Sequence, residues 1–170
     1  MISLELLSEA SSLDVYFFEK ENREYFERNL PPRPANYFDL EGFKEITREL
    51  LREQENHDVY MHLIRDAQGV MVGRISLSVL ESNRKTAEIG YRIGENVSNL
   101  GYASEAVKLV LEKAFTIYGF NRIIAGTATG NLVSQKVLLK NGFIFSRVIE
   151  NDLQIHNEWL HTAVFEITRS

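Results

Sequence analysis

The chain has 170 residues, 44% hydrophobic and 25% charged, which fits a single domain with a substantial core. Its net charge of -5, from 24 acidic against 19 basic residues, argues against a broad contact surface for nucleic-acid phosphates. Zero cysteines exclude a thiol nucleophile, a disulfide framework and any thiolate metal site.

No metal is expected either, because His57, His62, His156 and His161 offer no pair at the spacing of a helical zinc motif. No apolar run reaches the length a bilayer requires, and residues 1–13 lack the basic start and unbroken apolar centre of a secretion signal. A soluble, cytoplasmic protein is the expectation.

In chain order, residues 4–7 read as a short strand. Residues 11–30 place Leu13, Phe17, Phe18, Tyr25 and Phe26 at roughly helical intervals. Pro31, Pro32 and Pro34 then mark a loop. Asp39 can cap a second helix whose apolar face is Phe43, Ile46, Leu50 and Leu51, opposite Glu45, Arg48, Glu49 and Arg52.

The period then changes from helical to alternating. Residues 59–65 and the alternation of Ile75, Leu77 and Val79 with Arg74, Ser76 and Ser78 predict a hairpin about a turn at 66–69. Residues 86–94 continue as a strand, with Ala87, Ile89, Tyr91 and Ile93 on one face and Glu88, Gly90 and Arg92 on the other. From 103 to 118, Ala106, Val107, Val110, Leu111, Ala114 and Phe115 recur at helical spacing opposite Glu105, Lys108, Glu112 and Lys113. Residues 122–129 read as a buried strand, Asn131 as the cap of a helix ending at Asn141 and Gly142, and 143–150 and 159–168 as two last strands. The order is strand, two helices, three strands, helix, strand, helix, two strands. It predicts an α/β layer architecture on a mixed sheet.

Between the third of the middle strands and the following helix lies NVSNLGYASEAV, residues 96–107. A glycine-bearing strand-to-helix loop presents unpaired backbone amides at the positive end of a helix dipole. Gly101 removes a side chain where an anion would approach, and Ala103 and Ser104 keep the first turn open. A plain turn would use the same residues. The loop lacks the lysine and hydroxyl residue of a nucleotide P-loop and the three spaced glycines of a dinucleotide fold.

The wider context is more specific. Glu88-Ile89-Gly90-Tyr91, Asn99-Leu100-Gly101-Tyr102-Ala103-Ser104-Glu105-Ala106, Asn131-Leu132-Val133-Ser134 and Gly142-Phe143 closely resemble the GNAT superfamily of acetyl-CoA-dependent N-acetyltransferases. More narrowly, the chain resembles the branch containing the ribosomal-protein N-terminal (alanine/serine) acetyltransferases. The resemblance implies a mostly antiparallel central sheet flanked by helices, with acetyl-CoA as co-substrate. It implies that Asn99, Leu100, Gly101, Tyr102, Ala103 and Ser104 hold the coenzyme A pyrophosphate, that the backbone of Tyr91 and Ile93 pairs with the pantetheine amides, and that Asn131 meets the pantetheine arm. Asparagine before a helix is also a common cap. The family loop usually opens with glutamine or arginine three residues before its first glycine, where this chain has Ser98.

Acetyl transfer to an amine requires a neutral amine and protonation of the departing thiolate. Glu88, on the strand before the loop, is the candidate base; the alternative is an ion pair with Arg92 on the same face. Many superfamily members carry a tyrosine seven residues after the asparagine, where this chain has Leu138. The ribosomal-protein branch assigns a comparable role to a serine three residues after it, which maps onto Ser134. Direct attack by the amine in a ternary complex is expected, since no Ser-His pair sits at a suggestive spacing.

Acceptor choice is expected in the first two helices, their proline-rich connection and residues 151–161. The expected acceptor is a protein or peptide N-terminal α-amine; a small amine such as a polyamine or aminoglycoside, or a noncatalytic CoA-binding module, are the alternatives. A homodimer through the C-terminal strands is compatible with the pattern.

Overall fold

The computed structural model describes residues 1–80 and 82–169. Among them, strands β1 (Ser3–Leu6), β2 (Val59–Arg65), β3 (Met71–Val79), β4 (Thr86–Ile93), β5 (Arg122–Ala128), β6 (Ile144–Ile155) and β7 (Glu158–Thr168) form one sheet in the order β1-β2-β3-β4-β5-β7-β6. Neighbouring strands are antiparallel except β4 and β5, which run parallel. The helices are α1 (Ser12–Glu21), α2 (Arg23–Glu27), α3 (Leu40–Glu55), α4 (Tyr102–Thr116) and α5 (Leu132–Lys140).

The sheet is covered on both faces, which explains why β2 reads as an unbroken apolar run rather than an alternating one. Met61, His62, Leu63 and Ile64 are all fully buried. Met61 and Leu63 join Leu7, Val15, Tyr16, Tyr37 and Phe43 in a core beneath α1 and α3. Ile64 belongs to the opposite core, where Ile75, Leu77, Ala87 and Ile89 meet Ala106, Val107, Val110 and Ala114 of α4. Asp39 caps α3 by accepting from the Gly42 amide, 3.1 Å away.

Two segments depart from the sequence expectation. The helix expected over 11–30 is broken at Asn22, whose side chain competes for backbone partners. Its amide donates to the Phe18 carbonyl at 2.9 Å, and its Oδ1 accepts from the Glu95 amide at 3.0 Å, tying the α1–α2 junction to the loop after β4. The last two strands run beyond 143–150 and 159–168 and close as a tight hairpin at His156 and Asn157, both at positive φ. Most of β6 is exposed on both faces, so no alternation of apolar residues announces its length.

His62 is the buried titratable group of the α4-side core. Its Nδ1 lies 3.2 Å from the Ile75 carbonyl oxygen, which can only accept, so Nδ1 carries the proton and Nε2 accepts from the Tyr118 hydroxyl at 2.7 Å. Burial lowers its pKa from 6.5 to about 4, with Lys113 adding to the shift against the favourable Ile75 contact. Between those values the folded state binds fewer protons than the unfolded chain. Stability is therefore complete above about pH 6.5 and is lost as pH falls toward 4, by roughly 3 kcal/mol in total. Chemical denaturation from pH 7 to 4 checks this, with His62→Gln expected to flatten the slope.

Candidate active site

β4 and β5 share four paired positions, Thr86↔Arg122 to Ile89↔Ala125. Beyond them β4 stays with β3 as far as Gly73↔Ile93, whereas β5 follows β7 through Gly126↔Val164, Thr127↔Ala163 and Ala128↔Thr162. The strands thus part, and the facing edges at 90–93 and 126–128 have no strand partner between them among the described residues. Backbone groups left open in this way need a ligand or water. The edge includes Tyr91 and Ile93, and an added extended chain is the ligand shape that matches it.

The loop at 94–101 leaves the open end of this gap. Its amides at Val97, Ser98 and Leu100 turn inward to the carbonyls of Gly94, Glu95 and Val97. The amides of Asn99, Gly101, Tyr102, Ala103 and Ser104 have no acceptor among the described residues, and no side chain caps α4. Gly101 sits at φ 78, and a Cβ there would meet nothing within 4 Å. The glycine is thus required by backbone conformation, and the space above it is open. Ser104 is oriented by Asn141, the residue that ends α5, whose side-chain amide donates to its carbonyl at 3.3 Å and its hydroxyl at 3.2 Å. These amides form a cradle suited to an anion such as a pyrophosphate.

At the second junction Asn131 does cap α5, with Oδ1 accepting from the Ser134 amide at 3.1 Å. Ser134 is half-buried, and its Oγ lies 3.0 Å from the Tyr91 hydroxyl. Burial raises the Tyr91 pKa, and the Ser134 contact partly offsets the shift. The side chain of a residue singled out for its backbone thus reaches across the gap to the serine singled out for proton donation. Leu138, which stands where other family members carry tyrosine, is buried in the α4-side core.

The opposite face of β3 and β4 is polar. Register sets Ser78 opposite Glu88, Ser76 opposite Gly90 and Arg74 opposite Arg92. Ser78, Glu88 and Gly90 are exposed, and a Cβ on Gly90 would meet nothing within 4 Å, so this floor is open. Glu88 makes no ion pair with Arg92. Partial burial, and then the charge of Asp152 on β6, raise its pKa above the usual carboxylate range. Arg92 turns instead to Glu19 of α1.

Glu19, 1% exposed, receives Arg33 at 2.6 Å, Arg74 at 3.1 Å and Arg92 at 3.3 Å. Burial acts to raise its pKa, but the Arg74, Arg33 and Arg92 charges together hold it below the usual range. Burial and the like charges of Arg33 and Arg74 bring Arg92 down to about 10 despite Glu19. The groove between α2 and the β6–β7 hairpin is bridged where His156 Nε2 meets the Arg28 carbonyl at 3.3 Å, beside a cavity of about 430 Å³ lined by Arg23, Glu24, Glu27, Arg28 and His156.

Residues 4–144 match the acetyltransferase (GNAT) domain family. The chain belongs to that family. It is similar to the probable N-acetyltransferase YjcK of Bacillus subtilis, 30% identical over 88% of this chain and 83% of that protein. Its fold is similar to the crystal structure of a ribosomal-protein-S5-alanine acetyltransferase from Vibrio fischeri, with a TM-score of 0.91 at 20% identity over 98% of this chain and 92% of that one. It is also similar to the spermidine N-acetyltransferase of Vibrio cholerae in complex with CoA and spermine, with a TM-score of 0.82 at 16% identity over 98% and 95%.

Membership makes the protein an acetyltransferase that takes acetyl-CoA as its donor, and the open amides and parted strands fit that co-substrate. Among the described residues no histidine and carboxylate cluster could hold a metal, and no helix is long and apolar enough to cross a membrane.

Sequence reasoning missed the side-chain contact of Tyr91, the Asp152 charge beside Glu88 and the Glu19-centred arginines. Only the pairing of Arg74 with Arg92 carried a signal, since their strands alternate in phase across the β3–β4 connection.

Gly101→Val tests the cradle. A Cβ there would meet nothing within 4 Å, and the positive φ costs a side chain about 1–2 kcal/mol, more for a β-branched one, in an exposed loop, so the fold should persist. CoA affinity by calorimetry should fall about tenfold or more, and unchanged affinity would remove the loop from binding.

Proposed function

We propose that the acceptor is a protein or peptide N-terminal α-amine. The observation that carries this reading is the open polar floor of the sheet, with Ser78, Glu88 and Gly90 exposed and Ser76 half-buried beside them, an open surface rather than a closed acidic pocket. Related folds serve proteins and polyamines alike, so the openness of this surface is the discriminating feature. A cytoplasmic setting goes with this reading, because the co-substrate is an intracellular metabolite.

In this reading the amides of residues 99 and 101–104, with Leu100 at the loop apex, hold the pyrophosphate. The open β4 edge at Tyr91 and Ile93 pairs with the pantetheine arm, and the Asn131 amide group faces it from the α5 cap. Glu88 accepts the proton of the attacking amine, directly or through one water. Its raised pKa brings it closer to neutrality, where a base transfers protons most effectively. Ser134, held in place by Tyr91, donates a hydrogen bond to the departing thiolate, which takes its proton from solvent as the carbon–sulfur bond breaks.

The apolar residues exposed on one face of β6 and β7, namely Phe145, Val148 and Trp159, favour a second copy of the chain as the cover of this face. Sedimentation should then give a dimer.

Free CoA release should be observed with N-terminal peptides and exceed that with polyamines or aminoglycosides; the reverse preference would overturn the peptide reading. A deprotonated Glu88 gives kcat/KM an acidic limb that rises with pH through its raised pKa. Glu88→Gln should lower turnover on the order of 100-fold and abolish that limb, while Asp152→Asn should move the limb to lower pH. Ser134→Ala and Tyr91→Phe should each lower kcat roughly tenfold with little change in KM, and the double variant should fall no further than the worse single.

A further inference from the structure

The acceptor face is electrically polarised along β4. At one end stands Glu88, exposed on the open floor and within the field of the Asp152 charge, at the place where the amine is to react. At the other end three guanidinium groups meet one carboxylate, Glu19. No second carboxylate pairs with Arg33, Arg74 or Arg92 among the described residues, so the cluster carries two uncompensated positive charges.

The donors of the cluster are also unfilled. Each guanidinium has five N–H groups in a fixed fork. The contacts made are Arg33 to Glu19, Arg74 to Glu19 and the Tyr37 hydroxyl, and Arg92 to Glu19. Arg33 Nε is buried without a hydrogen-bond partner among the described residues. Arg33 and Arg92 additionally stack over Tyr37 and Phe26, which fixes their planes without neutralising them. Arg33 comes from the proline-rich loop, so the cluster joins the sheet floor to a connecting loop at the rim. With 25% of its side chain exposed, Arg33 is the most accessible of the three.

Glu88 and Arg92 are four residues apart on one face of an extended strand, about 13 Å at 3.3 Å per residue. Gly90 between them leaves the floor clear. We infer that the acceptor is dipolar: an amine that reacts beside Glu88, with an anionic group about 13 Å away, at the strand spacing of Glu88 and Arg92, held by Arg33, Arg74 and Arg92. In a peptide, that anion is a glutamate carboxylate on the third residue, two backbone steps of about 3.3–3.6 Å from the first plus the reach of the side chain. A linear polycation would place its second charge against the guanidinium groups. The inference rests on Glu88 being the residue that meets the amine.

The test uses the full chain, acetyl-CoA and C-terminally amidated hexapeptides identical except for Glu, Gln or Lys at the third position, followed by CoA release. The expected order of kcat/KM is Glu, then Gln, then Lys, with about tenfold or more between the first and last at low ionic strength and a narrower gap in about 0.5 M salt. Arg33→Gln should shrink the Glu-to-Lys ratio while retaining the thermal midpoint within a few degrees. Equal or faster turnover of the Lys peptide, or an undiminished ratio in Arg33→Gln, would overturn the inference. Should no hexapeptide react, the peptide reading fails, and 8-aminooctanoate against 1,8-diaminooctane poses the charge question separately. Preference for the amino acid supports the dipolar acceptor; preference for the diamine, or turnover of neither, overturns it.

Discussion

The rest of the site depends on the way β4 and β5 stop pairing. A backbone N–H or C=O withdrawn from its neighbour must find another partner; past Ile89 and Ala125 β4 keeps β3 and β5 keeps β7 on their outer edges, while the edges that face each other are left without a strand partner among the described residues. That divergence creates a slot within an otherwise continuous sheet. The loop that ends at Gly101 lies at its mouth, and the Tyr91 hydroxyl reaches Ser134 across it. Had the parallel pairing continued to Ile93, the same residues would have formed an ordinary strand-to-helix connection.

Keeping such a gap open requires support from both sides. α4 packs Ala106, Val107 and Val110 against the buried Ala87 and Ile89 of the paired half of β4, and leaves its first turn free of side-chain caps. Asn141 fastens the end of α5 to that first turn, and Asn22 fastens the loop after β4 to the α1–α2 junction. These polar contacts set the shape of the opening without occupying the amides that face it. Side-chain capping is absent at α4, where the amides stay open, and present at α3 and α5 through Asp39 and Asn131.

Much of this was legible from local pattern. Period-two alternation placed Glu88 and Tyr91 on opposite faces of one strand, and helical spacing located the buried stripe of α4. The family resemblance pointed to Ser134, which the structure places within reach of the gap. The rest is encoded across distance. Tyr91 and Ser134 are 43 residues apart, and Glu19 lies 55 and 73 residues from Arg74 and Arg92. No periodicity links such positions, because their meeting depends on how α1 lies across the sheet. The full length of β6 was hidden for the opposite reason: with most residues exposed on both faces, a strand has no burial pattern to display.

The alternation along β4 has an evolutionary consequence. Ala87 and Ile89 are buried beneath α4, while Glu88 and Gly90 stand exposed on the other side, one residue away in each case. Two physical demands are thus interleaved in four consecutive residues, one set by packing under the helix, the other by the open side of the sheet. Change at Gly90 alters the open side and spares the packing; change at Ala87 or Ile89 does the reverse. A strand of this kind lets one surface of the sheet drift a residue at a time while the other stays as it was built.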